Sequence, residues 1–253
     1  MMSRMECQGS KGKKRVALVT GGAVRIGAAV AEALARAGWG VVVHAHRSRA
    51  EADALCARLR AFGAEAWVVT GDLARPCGGA EVFAAACERA GGVDAVVNNA
   101  AVFSTRKATE VPDEEARRMM RVNADAPIAL TQCLWEHLRG RNARGCAVQM
   151  LDQRITGCGG PLTPYVRSKL ALAAFVREAA VEMAPALRVN AVAPGAVLLP
   201  VAPDAREPAG HFPLGFRPTP AHVADAVRWL LEAETVTGQT VFVDGGQHLE
   251  RNR

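Results

Sequence analysis

Short apolar runs rich in β-branched residues alternate along the chain with longer segments rich in Ala, Leu and Glu. The runs are continuous rather than alternating, which is typical of strands buried on both faces of a parallel sheet. They predict strands at 15–20, 40–44, 66–70, 93–98, 146–151, 187–193 and 240–243. The longer segments carry helix formers and mostly end near glycine or proline. They predict helices at 28–37, 51–62, 80–89, 114–137, 165–184 and 221–231.

This alternation predicts a parallel sheet with helices on both faces, which is a doubly wound, Rossmann-type α/β fold with three layers. No linker-like stretch divides the chain, so we expect a single domain over residues 15–253, after a basic flexible tail at 1–14. Residues 194–220 hold seven of the thirteen prolines, and the α/β pattern resumes after them. Because loops of this length are usually functional, we expect a lid over the active site.

A glycine-rich turn, Thr20-Gly-Gly-Ala-Val-Arg-Ile-Gly27, joins the first strand to the first helix. Glycine lets the backbone approach a pyrophosphate, and the free N–H groups of the helix favour an anion. We therefore predict a dinucleotide site formed by Gly21, Arg25, Ile26 and Gly27. Arg25 stands where a middle glycine is usual, and we expect it to bind an anion. The alternatives are a plain tight turn and an arginine that only faces solvent.

The end of the second strand indicates which dinucleotide the site prefers. NAD sites usually carry an acid here that accepts from the ribose 2′-hydroxyl. Residues 41–50 contain no acid, and the chain instead has His46, Arg47 and Ser48. Arginine and a hydroxyl favour a 2′-phosphate, which a carboxylate would repel, so these residues predict NADPH. The alternative is that Arg47 merely caps an exposed loop.

The chain has one tyrosine, Tyr165, and lysine is also scarce. One of the few lysines, Lys169, lies four residues after Tyr165, so the two side chains share a helix face. An ammonium group near a phenol favours the phenolate and lowers its pKa. We therefore predict that Tyr165 is a catalytic acid or base whose pKa Lys169 lowers.

Taken together, these motifs resemble those of the short-chain dehydrogenase/reductase family, over residues 15–249. The motifs that carry the resemblance are the G-x-x-x-R-x-G turn, Asp72, Asn98-Asn99-Ala100, Asn123, Tyr165-x-x-x-Lys169, Pro194-Gly195 and the closing Asp244-Gly-Gly. The resemblance implies that Asn123 supports a proton-relay water and that Lys169 binds the nicotinamide ribose. It implies a homotetramer as well. The further cofactor contacts that it implies are Asp72, Leu73, Asn99, Ala100, Pro194 and Gly195.

One departure from the family narrows the resemblance. Most members have a serine thirteen residues before the tyrosine, whereas this chain has Asp152. An acid there is similar to the pteridine reductases and the bacterial dihydromonapterin reductases, as are Arg25, the His46-Arg47-Ser48 stretch and Phe103. This implies a pterin that stacks on Phe103 and contacts Arg25, while Tyr165 and Asp152 manage protons. The alternatives are that Phe103 belongs to the core, that Asp152 caps the following turn and that Asn123 is a structural residue that bends its helix. Because the chain has no second tyrosine, Phe212 or Phe216 is expected to complete the pocket.

Composition excludes several other classes of function. The formal charge of +6 is concentrated in the tails, since residues 1–15 contribute +4 and residues 250–253 contribute +1. We therefore expect no nucleic-acid partner. The seven cysteines form no C-x-x-C pair, which argues against a metal site and favours reduced thiols in the cytoplasm. The sequence has no apolar run long enough to span a membrane and no secretory signal.

The sequence therefore predicts a cytoplasmic NADPH-dependent reductase that acts on a small molecule. By resemblance, the substrates are dihydropterins or dihydrofolate, which it reduces to their tetrahydro forms. A first alternative is a carbonyl reductase acting on a ketone or quinone, with Asp152 in the role of the usual serine. A second alternative is a non-catalytic dinucleotide sensor, although a sensor has no use for Tyr165, Lys169 and Asn123.

Overall fold

The computed structural model describes residues 14–104, 106–157, 162–198 and 212–250. Within these ranges the strands are β1 (Val16–Val19), β2 (Gly40–Ala45), β3 (Ala66–Thr70), β4 (Ala95–Asn98), β5 (Gly145–Met150), β6 (Leu187–Pro194) and β7 (Thr240–Val243). They form one sheet in the order β3-β2-β1-β4-β5-β6-β7, and every neighbouring pair is parallel. The predicted doubly wound α/β fold is therefore confirmed.

The α-helices of the described residues cover both faces of this sheet. They are α1 (Arg25–Arg36), α2 (Arg49–Ala61), α3 (Gly78–Ala90), α4 (Asp113–Met120), α5 (Ala126–Gly140), α6 (Pro164–Glu182) and α7 (Pro220–Glu232). Most predicted elements appear with ends displaced by a few residues. The long helical region predicted over 114–137 is present, but it is not regular, because a π-helical turn at Arg121–Asp125 separates α4 from α5. Pro127 has no N–H to donate to the carbonyl of Asn123 four residues earlier, which favours the wider turn.

Successive residues of β1 pack into two cores on opposite faces of the sheet. Ala17 and Val19 belong to the core under α1, α2 and α7. Val16 and Leu18 belong to the core under α3, α5 and α6. Because both faces are buried, every position of this strand is apolar, and this explains the continuous hydrophobic runs of the sequence.

The strand order reverses at β1, which lies between β2 and β4. The connections that leave β1 and β4 therefore run to opposite faces of the sheet, and a crevice opens beyond the carboxyl ends of these strands. The glycine-rich turn after β1 and the Asn98-Asn99 segment after β4 meet at this crevice. Ligands of doubly wound folds bind at such a switch point.

Some expectations fall outside the described residues. These are residues 1–13 of the tail with Cys7, Cys158, and residues 199–211 of the proline-rich loop, so the tail and the lid stay predictions. In the described ranges no helix is both long and apolar enough to cross a membrane. The cysteines of these ranges are free thiols, namely Cys56, Cys77, Cys87, Cys133 and Cys146.

Candidate active site

A cavity of about 580 Å³ lies at the switch point. Many of the predicted cofactor residues line it, together with Tyr165. These are Gly21, Arg25, Ile26, Gly27, His46, Arg47, Ser48, Asp72, Leu73, Asn99 and Ala100. Lys169, Asn123, Asp152, Phe103, Pro194 and Gly195 are not part of this lining. The tertiary structure thus brings most of the predicted dinucleotide residues into one cavity. The six residues just named lie outside its lining.

The glycine-rich turn is shaped by contacts that exclude larger residues. Gly21 has φ +58°, and a Cβ built on it would lie 3.0 Å from the Cα of Ala100. A Cβ on Gly27 would lie 2.2 Å from the carbonyl oxygen of Gly21. The Asn99 side-chain amide donates to the carbonyl oxygens of Thr20 and Gly21 at 2.9 and 3.1 Å. The turn is therefore a tight, braced cradle of the kind that receives a pyrophosphate.

Arg25 begins α1 in a conformation that residues other than glycine rarely adopt, with φ +56°. Such a backbone costs energy and persists where the surrounding structure imposes it, often at ligand sites. The side chain borders the cavity, and the first turn of α1 carries no acidic residue. The positive end of the helix and the guanidinium group therefore both favour an anion here.

His44 supports the same turn, a role that the sequence analysis did not predict. Its Nδ1 accepts from the backbone N–H of Gly21 at 3.3 Å, and its Nε2 faces the carbonyl oxygen of Gly71 at 3.2 Å. This pair of contacts requires the neutral ring with the proton on Nε2. Burial lowers the pKa of His44 to about 4, so the ring stays neutral near pH 7. In the sequence, His44 looks like one more residue of a buried strand.

The basic side of the cavity is organised around Asp72. Its Oδ2 lies 3.8 Å from both His46 Nε2 and Arg118 Nη1. The pKa of Asp72 is lowered by the backbone N–H of Ala74, and the charges of His46, Arg118 and Arg47 act in the same direction. Arg118 lines the cavity from α4. Sequence reasoning missed it, because nothing local links α4 to the end of β3.

Tyr165 and Lys169 lie one turn apart on α6, as predicted, and α6 is capped by Thr163, whose Oγ1 accepts from Val166 N at 3.2 Å. The expected effect of Lys169 on the phenol was wrong. Burial, followed by the negative charge of Asp152, raises the pKa of Tyr165. The Lys169 amine donates to the carbonyl oxygen of Met150 at 2.6 Å and lies 5.8 Å from the ring centre of Tyr165. Burial lowers the pKa of Lys169 to about 8.

Asp152 and Phe103 flank the phenol of Tyr165. The Tyr165 hydroxyl donates to Asp152 Oδ2 at 3.1 Å. The Phe103 and Tyr165 rings are edge to face, with centres 5.0 Å apart. Phe103 is 52% exposed, so it retains surface for a flat ligand. Arg154, which sequence reasoning missed, makes a bidentate pair with Asp152.

Asn123 is fully buried in the π-helical turn and bonded to protein groups. Its Oδ1 accepts from Val102 N at 2.8 Å, and its Nδ2 donates to Val102 O at 2.9 Å and to Ser168 Oγ at 3.1 Å. The side chain thus joins the segment before Phe103 to α6. This is a positioning contact that the resemblance did not imply.

Pro194 ends β6 and Gly195 follows it, and neither residue lines the cavity. A Cβ on Gly195 would lie 2.4 Å from Gln247 Oε1, an atom that also accepts from Ala196 N at 3.1 Å. The closing Asp244-Gly-Gly-Gln-His segment therefore fixes the chain after β6.

The expectation that Phe212 or Phe216 completes the Tyr165 pocket gains no support from the described contacts. Phe212 lies against Gly245, and the ring of Phe216 is 6.2 Å from that of His222. Within the described ranges, no three His, Cys, Asp or Glu side chains are grouped so as to hold a metal ion.

Comparisons with known proteins agree with this geometry. A family model described as enoyl-(acyl carrier protein) reductase matches residues 22–248. The short-chain reductase protein NovJ of Streptomyces niveus is 31% identical over 250 residues, which is 93% of this chain and 94% of NovJ.

Two solved structures are similar over nearly their whole length. FolM alternative dihydrofolate reductase 1 from Brucella suis, in complex with NADP, has a TM-score of 0.85 and 33% identity, over 93% of this chain and 96% of that chain. Acetoin dehydrogenase YohF from Salmonella typhimurium has a TM-score of 0.85 and 26% identity, over 95% of this chain and 98% of that chain. The matched proteins are thus described as reductases or dehydrogenases, and the Brucella suis structure is in complex with NADP. The chain belongs to the short-chain dehydrogenase/reductase family of oxidoreductases.

Proposed function

We propose that this protein is an NADPH-dependent reductase that converts dihydropterin or dihydrofolate-type substrates to their tetrahydro forms. The observation that carries the proposal is the hydrogen bond of 3.1 Å between the Tyr165 hydroxyl and Asp152, beside the exposed ring of Phe103. A carboxyl paired with a phenol can hold or relay a proton for a ring nitrogen. A half-exposed phenylalanine suits a flat aromatic ligand.

The residues present fit the cofactor that this proposal requires. The backbone of Gly21 to Gly27 and the Arg25 side chain would hold the pyrophosphate. His46, Arg47 and Ser48 would hold a 2′-phosphate. Arg47 and Ser48 both border the cavity, and their side chains can donate hydrogen bonds to the phosphate oxygens. Bound NADPH supplies a hydride to the substrate.

The chain's own groups would prepare the substrate for this hydride. A C=N bond accepts hydride more readily once its nitrogen is protonated, so a proton source beside the ring is needed. The raised pKa of Tyr165 keeps the phenol protonated near neutral pH. This favours a role as hydrogen-bond partner and acid over a role as phenolate base.

The likeness to the Brucella suis protein supports this choice. That protein is described as an alternative dihydrofolate reductase in complex with NADP. It matches this chain at 33% identity over nearly the whole length of both. The same reaction class is therefore the one we assign here.

A second candidate is an NADPH-dependent carbonyl reductase. It is favoured by the intact Tyr165–Lys169 pair and by the likeness to acetoin dehydrogenase YohF. In this case Asp152 would take the position of the usual serine and hold a substrate hydroxyl or carbonyl group through Tyr165.

Oxidation of NADPH in the presence of dihydrobiopterin, dihydrofolate and a panel of ketones that includes acetoin tests the two candidates. We expect turnover with a dihydropterin or dihydrofolate and a loss of that turnover in Asp152→Ser. Turnover of ketones alone, retained in Asp152→Ser, would reject the pterin assignment in favour of the second candidate.

We also propose that the protein works in the cytoplasm as a homotetramer. Exposed apolar side chains on α6 support an assembly in which this helix packs against another copy, since Val181 is 79% exposed and Leu170 is also exposed. Light scattering coupled to size-exclusion chromatography measures the mass in solution, and a monomer would contradict the proposal.

A further inference from the structure

Arg154 makes three hydrogen bonds to one carboxylate. It lies in the short 3₁₀ helix Gln153–Thr156, which follows β5. Its backbone N–H and its Nε donate to Asp152 Oδ1, both at 2.9 Å, and its Nη2 donates to Oδ2 at 2.9 Å. A bidentate arginine fixes the plane of a carboxylate as well as its charge.

These bonds and one from Tyr165 use the whole acceptor capacity of Asp152. A carboxylate offers about four lone-pair sites. Oδ1 receives two bonds from Arg154, while Oδ2 receives one from Arg154 and one from the Tyr165 hydroxyl. An ionised carboxylate can only accept, so the Tyr165 proton points to Asp152. The Arg154 side chain also forms a hydrogen bond with the phenol of Tyr165.

The same guanidinium group also packs on the two aromatic rings of the site. Its central carbon lies 5.3 Å from the ring centre of Phe103 and 5.0 Å from that of Tyr165. Cations are attracted to aromatic faces at these distances. Arg154 therefore connects the carboxylate to both rings.

Other charged groups near Asp152 have partners of their own. From α6, Tyr165 and Lys169 face it, and the Lys169 amine donates to the carbonyl oxygen of Met150. From the short helix Gln247–Leu249, which packs against Gln153–Thr156, His248 is bonded through Nδ1 to Asp244 Oδ2 at 2.8 Å. In the described part of the chain, Arg154 is thus the cation that bonds Asp152 directly.

We propose that Arg154 is a positioning residue. Its three hydrogen bonds fix the orientation of the Asp152 carboxylate and leave one acceptor site, to which the Tyr165 hydroxyl donates. An acceptor on the substrate, such as the nitrogen of a C=N bond or a carbonyl oxygen, then takes this proton by drawing the Tyr165 hydroxyl away from Asp152. Asp152 keeps its three bonds from Arg154 while the proton leaves. The inference rests on the proposed function in taking Tyr165 as the reacting group.

A double-mutant cycle tests whether Arg154 acts through Asp152. We expect Arg154→Met to lower kcat by about 10-fold or more, with the dissociation constant of NADPH unchanged. In an Asp152→Asn background the same change should cost less than about 3-fold, because coupled groups are not additive. Arg154→Lys, which keeps the charge without the fork, should restore part of kcat. An equal loss in both backgrounds would overturn the proposal.

Arg228→Met is the matched control for this cycle. It breaks an exposed pair, in which Arg228 Nη1 donates to Glu232 Oε2 at 3.2 Å, and it should leave kcat unchanged.

A spectroscopic test does not depend on turnover. Because Tyr165 is the only tyrosine, labelling tyrosine with ¹³C at Cζ gives one resonance. Arg154→Met should move this resonance clearly in the wild-type background and much less in Asp152→Asn, with the fold checked by circular dichroism. The same displacement in both backgrounds, or none in either, would overturn the role of Arg154. Coupled displacement in a protein that reduces no substrate would leave this role intact and reject the proposed function.

Discussion

At the scale of single residues, the reactive phenol is governed by its burial and its carboxylate neighbour. Tyr165 donates to Asp152, and burial together with that negative charge raises the pKa of the phenol. Lys169 keeps its amine on the carbonyl oxygen of Met150. The spacing of Tyr165 and Lys169 in the sequence therefore predicted correctly that the two residues lie one helical turn apart. It predicted incorrectly that Lys169 lowers the pKa of Tyr165. Burial and the charge of Asp152, rather than the lysine one turn away, govern the pKa of this phenol.

Removal of the phenol hydroxyl should separate chemistry from cofactor binding. Tyr165→Phe keeps the ring against Phe103 and takes away the proton held by Asp152. We expect turnover to fall by about 10²- to 10⁴-fold, the range of general acid–base catalysis, while NADPH binds as in the wild type. Steady-state kinetics and a fluorescence titration of NADPH measure the two quantities. Turnover within a few-fold of the wild type would contradict the role of Tyr165.

Alkaline titration reads Tyr165 directly, since tyrosinate absorbance comes from a single residue. A raised pKa in the folded state means that the unfolded chain ionises first, at about pH 10. Stability that is fully present below that pH is therefore lost as the pH rises above it. We expect no tyrosinate absorbance in the wild type until it unfolds.

Asp152→Asn should bring the ionisation of Tyr165 to lower pH than in the wild type, because it removes the negative charge that raises the pKa. Identical absorbance titrations of the two proteins would show that burial alone sets the pKa of Tyr165.

At the scale of elements, the site depends on how closely the turn before α1 packs on the segment after β4. Gly27 lies in the first turn of α1, with no room for a methyl group beside Gly21 O and Asn99 Nδ2. His44 binds the same turn to the end of β3 through two hydrogen bonds. The cradle is thus held from two neighbouring strands, and its shape does not depend on the turn sequence alone.

Gly27→Ala tests this packing. An added Cβ would lie 2.2 Å from Gly21 O and 2.7 Å from Asn99 Nδ2, so the turn must shift. Overpacking of this kind costs about 1–3 kcal/mol, and we expect NADPH affinity to fall by about 10-fold or more. Isothermal titration calorimetry measures the change. Gly140→Ala is the matched control, since a Cβ there meets nothing within 4 Å. Wild-type affinity in Gly27→Ala would contradict the cradle.

At the scale of the whole molecule, charge is distributed unevenly. Most of the formal charge of +6 belongs to the two ends of the sequence. Among the described residues, basic side chains from the segment after β2, from α1 and from α4 converge on the cavity, and Asp72 offsets part of their charge. An anionic dinucleotide is therefore attracted to one end of the sheet, which the overall charge alone does not reveal.

Arg47→Asp tests the preference for the phosphorylated dinucleotide. An acid at this position repels a 2′-phosphate and accepts from a 2′-hydroxyl. Loss of a charged hydrogen bond costs about 1.5–3 kcal/mol, so NADPH affinity should fall by about 10- to 100-fold and NADH affinity much less. Arg89→Asp, on the exposed end of α3, is the control and should bind both as the wild type does. Equal losses for the two cofactors would reject the 2′-phosphate assignment.

The sequence by itself determined the α/β order, the glycine cradle and the Tyr165–Lys169 spacing, because each depends on residues that are neighbours along the chain. It missed the π-helical turn around Asn123, where the missing N–H of Pro127 disturbs an otherwise continuous helical pattern. Only the tertiary structure decided that His44 supports the cradle and that Arg118 lies beside Asp72. It also decided that Arg154 donates three hydrogen bonds to the carboxylate of Asp152 beside Tyr165. It also reversed the expected pKa of Tyr165. Burial and contacts between distant segments have no local signature, and they set the electrostatics of the site.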